Sequence, residues 1–132
     1  MGGPILIAYD GSEDAKAAVD RATALFPERA AIVLTVGEAA NHAETTAAAG
    51  AVLARAQGRH ATAMSAEPTG NVASTILAEA DRVDAAVVVM GTRGSSAVTA
   101  AIRGSVSAAV TANSRRPVLV VRAHRRESRR VA

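Results

Sequence analysis

Three glycines and a serine stand at the spacing G-x2-G-x9-G-S: Gly91, Gly94, Gly104 and Ser105. The chemistry that such a spacing serves is anion binding. Glycines let a main chain come close to a ligand, and a helix that starts after them offers unpaired N–H groups at its positive dipole end. Hydroxyls crowd the same stretch (Thr92, Ser95, Ser96, Ser107), and Arg93 adds a positive charge with a geometry suited to two-pronged phosphate contact. Glycines alone would only shape a turn; here Ser105 is expected to cap the following helix, which makes the stretch a phosphate seat. Asp10, followed by Gly11 and Ser12, is the second residue with chemical potential. It could act as a base, yet nothing beside it needs activating, and locally an acid before glycine forms an Asx-type turn.

What the chain lacks narrows the chemistry. No lysine follows the glycines as a G-x4-G-K-[ST] phosphate loop requires, and no Ser, His and Asp are arranged for nucleophilic attack. There is no cysteine, and His42, His60 and His124 stand apart from one another and from any carboxylate at ligand spacing, so no metal site is expected. Catalytic residues are not expected either.

These residues need a scaffold, and the hydrophobic pattern supplies one. The run from Ile5 to Tyr9 is apolar throughout, as in a strand covered on both faces. A helix follows from Glu13 to about Leu25, with Ala15, Ala18, Val19, Ala22 and Leu25 at helical spacing and Glu13, Asp14 and Asp20 toward its front. A second buried strand reads from Ala31 to Val36. Next comes an Ala-rich helix from Ala43 to Gln57, weakened by Gly50, and a weaker third strand from Ala61 to Ala66. Asn71 can cap a helix from Val72 to about Arg82. The fourth strand, Ala85 to Met90, runs straight into the glycine loop. A helix from Ser105 to about Ala112 and a last strand, Val118 to Val121, complete the order. Alternating strands and helices, with strands apolar on both sides, predict an α/β fold with a parallel sheet between two helical layers. Ligands of such sheets bind beyond the strand C-termini where strand order reverses, so Asp10 and the glycine loop would meet if the first and fourth strands are neighbours.

A chain of 132 residues fits one domain, placed at residues 1–122, with a basic tail at 123–132 expected to be disordered. The net charge of +3 resides entirely in that tail, since the body is formally neutral. The charge therefore marks no basic face, and with Tyr9 and Phe26 the only aromatics, nucleic acid is not an expected partner. No apolar run approaches the ~18 residues of a membrane span. The start of the chain lacks the basic region of a signal peptide, so a cytoplasmic location is expected.

These motifs resemble the universal stress protein family. The similar segments are Ile5-Leu6-Ile7-Ala8-Tyr9-Asp10-Gly11-Ser12, Val87-Val88-Val89-Met90-Gly91-Thr92-Arg93-Gly94, Ile102-Arg103-Gly104-Ser105-Val106-Ser107 and Arg116-Pro117-Val118-Leu119-Val120-Val121. The glycine spacing is that of the family's ATP-binding branch. The resemblance implies a Rossmann-like, adenine nucleotide alpha hydrolase-like three-layer fold with five parallel strands in the order 3-2-1-4-5. It also implies homodimers joined through the last strand, and ATP, AMP or cyclic AMP in each subunit. By the same resemblance Asp10 would contact ribose and adenine with Ala8 beside it and the Val36 backbone near the base. Met90 and Gly91 would border the ribose, and Arg93, Gly94, Gly104, Ser105 and Val106 would hold the phosphates. Mg2+, if present, would be held mainly by phosphate oxygens. The function implied is a nucleotide-gated stress-response module; the alternative is a slow ATPase or adenylate-transferring enzyme on the same fold. One departure is that the connection between the second and third strands is shorter than the family's usual one, which would leave the adenine pocket more open.

Overall fold

Parallel pairing of five short apolar strands organises the computed structural model, which describes residues 3–38, 42–92 and 105–123. Among the described residues strands and helices alternate: β1 (Ile5–Ala8), α1 (Glu13–Leu25), β2 (Ala31–Val36), α2 (Ala43–Ala56), β3 (Ala61–Ala66), α3 (Val72–Val83), β4 (Val87–Gly91), α4 (Ser105–Asn113) and β5 (Val118–Val121). The sheet order is β3-β2-β1-β4-β5, as the resemblance implied. Ile5 lies opposite Ala31 on one side and Val87 on the other, which fixes the central register.

Strand side chains alternate between two cores. Ile5, Ile7, Tyr9, Val33 and Val89 face α1 and α2, while Leu6, Leu34, Val88 and Met90 face α3 and α4. Ile5, Leu6 and Ile7 are fully buried, which explains why β1 reads as an uninterrupted apolar run. The helices facing them bury small residues: Ala15, Ala18 and Ala22 from α1, and Ala47, Ala51 and Ala54 from α2. Gly50 belongs to this logic. A β-carbon there would lie 2.7 Å from the Val33 side chain and 2.8 Å from the Tyr9 ring, so glycine permits α2 to approach the sheet. The residue that weakened the helical expectation is the one that seats the helix.

Each helix start has its own chemistry. Ser12 accepts from the Ala15 N–H at 3.1 Å and caps α1. Asn71 accepts from the Ser74 N–H at 2.8 Å, and the Ser74 hydroxyl returns the bond to the Asn71 N–H at 3.2 Å, closing a capping box at α3. At the other end of α3, Asp84 adopts a left-handed conformation (φ 53°) and Ala85 donates to the Ala80 carbonyl at 3.0 Å. That bond spends the Ala85 N–H on the helix, so β4 begins at Val87 and not at the expected Ala85.

Arg116, just before β5, reaches Asp81 and Asp84 at 3.1 Å and donates to the Ala85 carbonyl at 2.7 Å. The two carboxylates hold its guanidinium pKa above the usual arginine value, hydrogen bonding to Asp84 contributing most. β5 is one of the sheet's two edge strands; Val118 and Leu119 are half-buried and Val120 is 37% exposed. Of the expected tail only Ala123 is among the described residues.

Candidate functional site

Strand order reverses between β1 and β4: α1 leads from β1 to β2 on one side, and α4 leads from β4 to β5 on the other. The space beyond the C-terminal ends of such a pair is where open parallel sheets take ligands. Ala8 lies opposite both Leu34 and Met90. Continuing these registers by two residues brings Asp10 level with Val36 and with Thr92. The continuation is supported on one side by the Tyr9 N–H, which donates to the Leu34 carbonyl at 2.8 Å. It is reinforced by the buried Thr35 hydroxyl, which donates to the Tyr9 carbonyl at 2.7 Å.

The fold thus gathers Ala8, Asp10, Val36, Met90 and Gly91 at one edge. Met90 is buried, while Ala8, Val36 and Gly91 are half-buried and Asp10 is exposed. Arg93, Gly94 and Gly104 lie outside the described residues, as do Ser95 and Ser96. The chain re-enters at Ser105, which is exposed and is the first residue of α4, one position inside the helix whose cap it was expected to be. Val106 packs against the α3 side of the core. Because α4 crosses back from the end of β4 to the start of β5, its first turn opens at the same edge as Asp10.

Asp10 forms the turn that local sequence reading gave it. Its Oδ1 accepts from the Ser12 N–H at 3.0 Å, around Gly11 in the left-handed conformation (φ 84°). Its neighbour Tyr9 is buried, and burial raises the phenol pKa above its usual value, helped by the charges of Asp10 and Glu13. The ring is therefore a neutral wall and no base.

Gly91 has a steric reason to be glycine that the sequence did not disclose. A β-carbon there would fall 2.6 Å from the Asp14 β-carbon and 2.7 Å from its carbonyl carbon. The first turn of α1 lies directly on the end of β4. Asp14 itself is 4% exposed. Its Oδ2 accepts from the Thr92 hydroxyl at 2.6 Å, and its Oδ1 accepts from the Ala123 N–H at 2.9 Å. Sequence reading took Asp14 only for an acid suited to the helix dipole. The missed signal was its place four residues before Ala18 and eight before Ala22, on the buried stripe of α1.

The first turn of α2 brings the Thr46 methyl to 3.8 Å from where a Gly11 β-carbon would stand. Among the described residues no three His, Cys, Asp or Glu side chains are grouped to hold a metal ion. No helix among them is long and apolar enough to cross a membrane.

A doubly wound parallel sheet of this order, with helices on both faces and a strand-order reversal at the β1/β4 junction, defines a Rossmann-like α/β protein. The chain belongs to the universal stress protein family, whose family model matches residues 26–122. Ala8 and Asp10 precede that match. A search of curated proteins finds no match. Solved structures agree on the fold. A universal stress protein in complex with cAMP is 25% identical, with a TM-score of 0.76 over 94% of this chain and 100% of that one. The Archaeoglobus fulgidus universal stress protein in complex with dAMP is 22% identical, with a TM-score of 0.74 over 90% of this chain and 97% of that one. UspA from Lactobacillus plantarum is 19% identical, with a TM-score of 0.69 over 91% of this chain and 97% of that one.

Proposed function

We propose that this chain is an adenine-nucleotide-binding stress-response module whose ligand is ATP, or alternatively AMP or cyclic AMP. The observation that carries the reading is the β1/β4 junction: Asp10, Val36 and Met90–Gly91–Thr92 meet there, at the root of the G-x2-G-x9-G-S stretch that returns at Ser105. The relatives crystallised with dAMP and with cAMP share this fold, which supports an adenine nucleotide here.

The roles follow from the resemblance to the family. The Asp10 oxygen not used by the Asx turn accepts from ribose hydroxyls, with Ala8 beside it and the Val36 main chain toward the base. Met90 and Gly91 flank the sugar. Arg93, the main-chain N–H groups of Gly94 and Gly104, and the first turn of α4 at Ser105 and Val106 take the phosphates. Mg2+ accompanies the triphosphate through phosphate oxygens. The protein works in the cytoplasm as a homodimer paired through β5, where apolar side chains line an outer strand.

Calorimetry with ATP, AMP and cyclic AMP tests the reading. Saturable binding of one nucleotide per subunit is expected, and no binding of any of the three at millimolar concentration overturns it. Asp10→Asn keeps the turn-forming oxygen but removes the charge, and should weaken ATP by about tenfold. Turnover of ATP that vanishes in Asp10→Asn would favour the slow ATPase reading of the same site.

A further inference from the structure

We infer that Asp14 is a positioning residue for the nucleotide loop, holding the first residue of that loop in place from beneath; this rests on the nucleotide reading above. Thr92 is where β4 gives way to the loop, and two bonds fix it. Its N–H donates to the Val121 carbonyl at 2.9 Å, and its hydroxyl donates to Asp14 Oδ2 at 2.6 Å. The first bond sets the backbone of Thr92; the second sets its side chain. A short hydrogen bond from a hydroxyl to a buried carboxylate is among the stronger polar contacts that a protein makes.

Asp14 is suited to this work because nothing about it is loose. It sits in the first turn of a helix whose positive end favours a carboxylate. Ser12 caps that helix, and Asp10 holds Ser12. The other Asp14 oxygen is fixed by the Ala123 N–H beyond β5. Gly91 lets the helix lie against β4 closely enough for the carboxylate to reach Thr92. The sugar-contacting Asp10 and the phosphate loop are therefore joined by one relay, Asp10–Ser12–α1–Asp14–Thr92. A ligand that uses both ends needs the relay intact, because a displacement of the loop entry relative to Asp10 moves the phosphate seat away from the sugar seat.

The test is a double-mutant cycle read in ATP affinity. Thr92→Val keeps shape and removes the hydroxyl; Asp14→Ala removes the acceptor. Each is expected to weaken ATP binding by about tenfold. The double variant should be no weaker than Asp14→Ala, because the two residues act through one bond. Thr92→Ser keeps the hydroxyl and should bind within about twofold of the unaltered protein, a rescue that general loosening of the fold would not give. Urea unfolding of each variant at the same temperature establishes that it is folded when titrated. Full affinity in Asp14→Ala, or losses that simply add in the double variant, overturn the positioning role while leaving the nucleotide reading intact. Failure of the unaltered protein to bind removes that reading, and this role with it.

Discussion

At Gly91 a methyl group would stand within 3 Å of three Asp14 atoms, two of them main chain. Neither the helix start nor the strand end can yield without losing bonds that hold Thr92 and Ala123. Gly91→Ala is therefore expected to destabilise the fold by about 1–3 kcal/mol, measured as a lower urea midpoint with an unchanged slope. The same steric reading separates two demands that the sequence presents as one. The pattern of glycines was legible as a ligand loop, but a sequence shows only that a side chain is missing and not what fills the space. At Gly91 part of the answer is the protein's own first helix. Asp14 was hidden for the complementary reason: an acid in a first helical turn has an ordinary surface explanation, and only the contact with Thr92, 78 positions away, shows its burial to be purposeful.

Elements were far more readable than contacts, because β1 and β4 are buried on both faces and α1 and α2 carry a stripe of small apolar residues. β2, β3 and β5 occupy the spans that their β-branched and apolar runs mark out. The boundaries that moved did so through hydrogen bonds that a hydrophobic pattern does not encode: β4 starts late because Ala85 completes α3. Capping was partly legible. Asn71 before Val72 announced α3, and its structure adds the reciprocal Ser74 bond. Replacing Asn71 by Ala leaves the first-turn N–H groups of α3 without that acceptor and should cost about 1 kcal/mol in urea unfolding, with nucleotide affinity unchanged. A loss of affinity instead would tie the start of α3 to the ligand.

For the whole molecule, strand order came from resemblance and not from periodicity, since an apolar run does not say which run lies beside it. Once β1 and β4 are neighbours, the convergence of Asp10 with the glycine loop follows from topology alone. The outer strand carries the remaining expectation. Val120 is exposed on β5, and Val118 and Leu119 are only half-buried, so a second copy pairing there would cover them. Sedimentation equilibrium is expected to give a dimer for the unaltered chain and a monomer for Val120→Lys, in which like charges oppose one another across the pairing axis. A monomer in both cases removes the pairing.

Asp14 has one more consequence, for how the polypeptide is made. Its carboxylate accepts from residues 92 and 123, the second bond spanning 109 positions. As the nascent chain leaves the ribosome, the opening β1–α1 unit is complete early, yet its carboxylate must wait for the final strand before its bonding is finished. Such distant closure slows folding in general, and it couples the docking of β5 to the seating of α1.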